Sequence, residues 1–242
     1  HKLTAFSAVC SLFGTLYMFS KSSDNERITK SNDEKQLVLC DFEINGGDPV
    51  FLDIGNHQPV SLFGGGFHSA AIGSEGEVIF INRHKVKKSP NSPIAVVFLP
   101  DGEKASSIAC CDDLVIVLSS NGRVFISPVE EEEFNSLEFS LVSELSDQEI
   151  VCVSAAYEHF LAVSKDGHVF GLGSNEFGKL CLENEIKSVS SFIEISSLVG
   201  YEIRAVYAGF SHSLFETREG KILACGRNVN GQLLSSSGPG ED

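Results

Sequence analysis

The chain has 242 residues, 42% of them hydrophobic, and 33 acidic against 18 Lys and Arg residues give a formal net charge of -15. That length can bury a sizeable core as one large all-β domain or two smaller ones. The acidic balance argues against unaided affinity for DNA or RNA, which rests on Lys and Arg displacing counterions from phosphates, and it favours basic protein partners.

From the N-terminus, Leu3 to Phe19 is apolar enough for a signal peptide or a membrane anchor. It is short for a span and holds Gly14 with several Ser and Thr. We read it as a strand pair and expect no membrane insertion. The polar run 21–36 (KSSDNERITKSNDEKQ) reads as a flexible insertion. Strand-like runs Val50–Ile54 and Pro59–Phe63 then lead into HSAAIGSEGEVIFIN from His68. The basic cluster Arg83, Lys85, Lys87 and Lys88 follows on what should be a rim loop. It is either a solvated loop or a contact for an acidic protein or a phosphate.

Ala95–Leu99 is the next strand candidate, followed by LVIVLSSNGRVFISP from Leu114. Between Asp101 and Glu158 the acid is concentrated, most of all at Glu130, Glu131, Glu132 and Glu133. Such a run is ordinarily a solvated face, and its functional reading is a surface that steers a basic partner. Leu137–Leu141 and Ile150–Val153 precede HFLAVSKDGHVFGLG from His159, and Phe192–Ile195 and Ile203–Tyr207 precede HSLFETREGKILACG from His212. The seven cysteines are odd in number and show no C-x-x-C spacing or paired framework. With Cys152 and Cys225 inside apolar runs, a reducing intracellular compartment is expected.

One frame recurs throughout. Two apolar runs flank a polar turn that ends in glycine, at Gly14, Gly76, Gly122, Gly167 and Gly220, with spacings of 62, 46, 45 and 53 residues. The turns ending at Gly122, Gly167 and Gly220 suit a type I hairpin loop whose glycine supplies the positive φ. Two copies continue into G-x-N-x-x-G-x-L: Gly173, Asn175, Gly178 and Leu180, then Gly226, Asn228, Gly231 and Leu233. We expect these as blade-closing turns in which Asn bonds the backbone and Leu fills the gap between blades. Each hairpin, with one run just upstream and another earlier still, makes about four strands per unit, without helical periodicity. Four-stranded units at this period stack radially, so the expected fold is an all-β propeller of about five blades in a single domain, 1–242.

At this point the chain resembles a known family. The segment from Ala155, with its order A-x-x-x-H-x-x-A-V-x-K-D-G and its G-S-N-E-F-G-x-L tail, is similar to the repeat of regulator-of-chromosome-condensation-type propellers. AGFSHSLFETREGKILACGRNVNGQL from Ala208 resembles it about as closely, and the unit at His68 is a weaker copy. Such propellers are typically seven-bladed rings. The resemblance therefore implies a partial or reduced ring here.

His68, His159 and His212 occupy one repeat position, which argues for a tie between neighbouring strands rather than for catalysis, needed once, or for metal binding, which needs convergence. The glycine loops are not followed by a helix that would hold phosphate. No catalytic, cofactor or metal site is expected. The leading expectation is a monomeric, non-enzymatic scaffold for a protein partner, with no direct contact to nucleic acid or membrane. The resemblance implies two alternatives: guanine-nucleotide exchange on a Ran-like small GTPase, and service as the partner-binding part of a larger ubiquitin ligase or kinase. The family also implies a cytoplasmic or nuclear location.

Overall fold

The computed structural model describes the backbone of residues 4–11, 14–20, 35–40 and 49–52, and backbone and side chains of 54–64, 68–81, 94–111, 113–129 and 137–233, with Asn82 as backbone. Among the described residues, nineteen strands fall into five antiparallel sheets, which we call blades. Blade 1 runs β1 (Thr4–Ser11), β2 (Gly14–Ser20), β3 (Lys35–Cys40) and β4 (Pro49–Leu52). The apolar N-terminal stretch is thus a strand pair. The insertion expected at 21–36 lies outside the described residues up to 34, and its last two residues, Lys35 and Gln36, open β3.

Blade 2 contains β5 (Pro59–Gly64), β6 (His68–Gly73), β7 (Val78–Asn82) and β8 (Ile94–Val97). Blade 3 contains β9 (Ala105–Cys110), β10 (Leu114–Ser119), β11 (Val124–Pro128) and the two-residue β12 (Ser140–Leu141). Blade 4 is β13 (Ile150–Ala156), β14 (His159–Ser164), β15 (Val169–Ser174) and β16 (Ser188–Glu194). In blade 5, β17 (Ile203–Ala208), β18 (His212–Thr217) and β19 (Ile222–Gly226) form three described strands. Helical backbone among the described residues is confined to four three-residue 3₁₀ turns. No described helix is long and apolar enough to cross a membrane.

The blade boundary differs from the sequence expectation. The sequence pattern groups the runs near Ala95, Leu137 and Phe192 with the hairpin that follows them, but β8, β12 and β16 pair with the last strand of the preceding hairpin. Hydrophobic pattern identifies a strand, whereas the choice of partner is made by pairing across space.

Each blade packs against the next through its first strand, and apolar clusters fill the seams. Phe80 and Ala70 meet Ile108 and Val117 between blades 2 and 3. Ile116 and Val124 meet Ile150 and Phe160 between blades 3 and 4. Leu161 and Val163 meet Val206 and Phe215 between blades 4 and 5. The middle strands record this sandwiching: β6 and β14 are buried at every residue, whereas β18 is buried only at Ser213, Phe215 and Thr217. A strand covered on both faces reads as a continuous apolar run, and one covered on a single face alternates.

The glycine hairpins also join blades. Gly76, Gly122, Gly167 and Gly220 have φ between 78° and 91°. In each turn the glycine N–H donates to the carbonyl three residues back, as from Gly122 to Ser119 at 3.1 Å. The glycine carbonyl then reaches the next blade: Ala105 N–H donates to Gly76 O at 2.9 Å, and Ile150 N–H to Gly122 O at 3.0 Å.

A candidate protein-binding face

Opposite the glycine hairpins, the turns between first and second strands gather at the other end of the blades. Asp113, Glu158 and Ser211 occupy one repeat position there. Their carbonyls accept N–H bonds from Val129 (2.7 Å), Ser174 (2.8 Å) and Arg227 (2.9 Å). The close approach of these turns explains two glycines of the repeated motif. A Cβ on Gly173 would lie 2.2 Å from Glu158 O, and one on Gly226 2.5 Å from Ser211 O.

The rest of the motif builds matching loops. Asn175 Oδ1 accepts from Leu180 N–H at 3.0 Å, and Asn228 Oδ1 accepts from Leu233 N–H at the same distance. Gly178 and Gly231 donate to the Asn175 and Asn228 carbonyls, with φ of 71° and 73°. Asn175 also donates from Nδ2 to Ile186 O at 2.8 Å and Glu183 O at 3.3 Å. Leu180 is fully buried among side chains of both blades 4 and 5.

The three histidines differ in what they touch. His159 is fully buried, and its Nε2 lies 2.9 Å from Ser213 Oγ of the next blade. Ser213 donates its hydroxyl proton to Lys179 O at 2.6 Å. Since a carbonyl only accepts, the imidazole must carry its proton on Nε2. Burial, with the Lys179 ammonium and His212 adding to it, depresses the His159 pKa to about 4, so the ring is neutral. His212 lies over Gly209, where a Cβ would come within 2.2 Å of its ring. His68 stacks at a tilt on Phe80, with centroids 5.2 Å apart.

Two described thiols are raised by burial: Cys110 to about 12, and Cys152 by desolvation against a weaker opposing hydrogen bond with the Val206 backbone. Cys181 and Cys225 correct the sequence reading of unpaired cysteines. They form a disulfide between the loop after β15 and β19, with Cα atoms 5.9 Å apart. The two are 44 residues apart in sequence, in different blades, so no local spacing reveals the pair.

Arg83, Lys85, Lys87, Lys88 and Glu130, Glu131, Glu132 and Glu133 lie outside the described residues. Among the described residues of this end, the sequence reading missed the exposed side chains. Tyr157 and Phe210 hold equivalent positions in blades 4 and 5, and their rings stack at 4.5 Å and 25°. Phe177, at the tip of the Asn175 loop, lies beneath the Arg227 guanidinium, 5.1 Å from its centroid. Beside Tyr157, a cavity of about 490 Å³ opens at the seam of blades 3 and 4. Asp113 and Glu158 are at its walls, with Phe160 and Leu172 among its apolar lining. The signal was present: an aromatic stands two residues before both His159 and His212.

Comparison with known proteins follows the same lines. Residues 203–232 match the Regulator of chromosome condensation (RCC1) repeat. The probable E3 ubiquitin-protein ligase HERC4 of Homo sapiens is 41% identical over 92 residues, which are 38% of this chain and 9% of the ligase. The secretion-regulating guanine nucleotide exchange factor of Bos taurus is 24% identical over 257 residues, covering 89% of this chain and 54% of that protein. The chain therefore spans about a tenth of the ligase and about half of the exchange factor. Human WBSCR16 superposes with a TM-score of 0.69 at 16% identity, over 93% of this chain and 62% of that chain. Prp20p of Saccharomyces cerevisiae, studied for its binding to Gsp1p and histones, superposes with a TM-score of 0.65 at 13% identity, over 93% and 58%. The chain carries a regulator-of-chromosome-condensation repeat on the corresponding propeller fold.

Proposed function

We propose that this chain is a non-catalytic binding module, one propeller domain that presents the end carrying Tyr157, Phe177 and Phe210 to a protein partner. The observation that supports this most is a division of labour. The buried polar groups Asn175, His159 and Ser213 bond to turns and neighbouring blades, while Tyr157, Phe177 and Phe210 stay exposed together on one end, the first and last of them stacked; Phe98 and Tyr201 are exposed singly at the other end. Exposed aromatic clusters of this kind are where protein interfaces concentrate their affinity. The net charge of -15 favours a basic protein over nucleic acid. Likeness to HERC4 fits a role as the partner-holding part of a larger ubiquitin ligase.

Guanine-nucleotide exchange on a Ran-like GTPase is the second reading, favoured by the long alignment with the bovine exchange factor. The test is release of labelled GDP from a Ran-type GTPase with this chain as catalyst. Acceleration above about tenfold, equal to about 1.4 kcal/mol of barrier lowering, overturns the non-catalytic reading in favour of exchange. An unchanged rate, from protein with an intact cooperative melt, supports the binding module and removes exchange on that GTPase.

A further inference from the structure

We infer that the cavity between blades 3 and 4, together with the adjoining Tyr157–Phe210 pair, docks an arginine- or lysine-bearing segment of the partner protein. This rests on the binding-module reading and specifies its partner. The cavity, at about 490 Å³, is in the size range of side-chain and ligand pockets. Its chemistry is mixed in a way that selects a cationic side chain with an apolar stem. Phe160 and Leu172 offer apolar wall, and Asp113 and Glu158 offer carboxylates. Both carboxylates stand on turn residues whose carbonyls are fixed by Val129 and Ser174, so the backbone from which they extend is held in place. Glu158 is half exposed, and Lys179 lies 3.5 Å from one of its oxygens. A long Lys or Arg stem would follow the apolar wall and leave its head at Asp113, since Lys179 already pairs with Glu158.

The aromatic pair extends the same preference. Tyr157 is 37% exposed and Phe210 53% exposed, and together they form a stacked apolar shelf beside the cavity. Such faces attract guanidinium groups. The chain shows this within itself, where Arg227 covers Phe177. Tyr157 and Phe177 also hold left-handed backbone, with φ of 49° and 60°. A bulky residue is an outlier there, and strained positions of this kind cluster at binding sites. The charge of -15 steers a basic segment towards the chain as a whole.

The experiment uses fluorescein-labelled peptides of alternating Arg and Leu, with an alternating Glu and Leu peptide of equal length as control, read by anisotropy at low and physiological salt. Tyr157→Gly with Phe210→Ser removes the shelf while suiting the left-handed position, Asp113→Asn removes a carboxylate, and Val199→Thr is the control at the far end. Thermal melts confirm that each variant is folded. We expect the basic peptide to bind, the acidic one not to, and the shelf variant to weaken binding at least tenfold. Asp113→Asn should weaken it about threefold, and Val199→Thr should leave it unchanged. Equal binding to all variants, or no binding, overturns the inference. Peptides selected from a random display library separate the two readings. Binders insensitive to these substitutions overturn the docking site and uphold the binding module, whereas a library yielding no binders fails both.

Discussion

In the second blade Glu77 folds its carboxylate over Gly73, so that a Cβ on Gly73 would lie 2.0 Å from Oε1. The other glycine hairpins carry Ser119, Ser164 and Thr217 at this position, and there a hydroxyl caps the turn, as in Asn121 N–H to Ser119 Oγ at 3.3 Å. Glu77 supplies the missing acceptor from four residues downstream: Glu75 N–H donates to its Oε2 at 2.9 Å, while His57 Nδ1 lies 2.9 Å from Oε1. A hydroxyl four residues before an outward side chain is thus replaced by glycine before an inward carboxylate.

The two residues should therefore be coupled. Gly73→Ser alone overpacks the turn and should cost about 1–3 kcal/mol. Adding Glu77→Arg, which recreates the Ser119 and Arg123 arrangement, should recover most of that cost. Urea unfolding of the four proteins measures the coupling, and simple additivity would disprove the substitution of one cap for the other.

Gly167 and Gly220 separate backbone strain from blade contact. Both have positive φ, but a Cβ on Gly167 would lie 3.3 Å from the Ile203 backbone, while one on Gly220 would meet nothing within 4 Å among the described residues. Alanine at Gly220 should cost about 1 kcal/mol through conformation alone. At Gly167 the cost should be larger, since blade 5 must shift. Equal losses of denaturation midpoint would show that the seam does not require the glycine.

His159 links stability to pH. Its folded pKa of about 4 lies below the ordinary value of 6.5, so the unfolded state binds a proton first as pH falls. Its contribution is therefore flat above pH 6.5, declines between 6.5 and 4, and levels off below. The full span is about 3 kcal/mol. The slope attributable to this group should vanish in His159→Leu, the residue that Leu114 places at the same position in blade 3. A retained slope would assign the effect to other groups.

Asn175 donates to two carbonyls and accepts one N–H, all inside the loop. Asn175→Asp keeps the acceptor and sets a second carboxylate oxygen against the Glu183 and Ile186 carbonyls. The loss should be about 2–4 kcal/mol at neutral pH and should shrink in acid as the carboxyl protonates. A variant as stable as the parent would show that the loop does not depend on these bonds.

The disulfide closes 44 residues between blades 4 and 5. Its reduction should lower stability by about 2–4 kcal/mol. Alkylation of the unfolded, unreduced chain should leave Cys181 and Cys225 unmodified. Labelling of both would remove the bond from the structure.

The amino-acid order alone determined the local units: hairpins, their glycines and the doubled Asn loop follow from turn chemistry and from apolar runs that are legible within a few residues of chain. The pairing of β8, β12 and β16, the bond from His159 to Ser213, the Cys181–Cys225 bridge and the stacking of Tyr157 on Phe210 were decided only by tertiary structure. Each joins residues from different hairpins or blades, and the distance between such groups is set by how the blades pack, which no local pattern encodes. Glu77 shows the limit within one hairpin. Its identity reads as another surface acid, and only the empty space above Gly73 turns it inward.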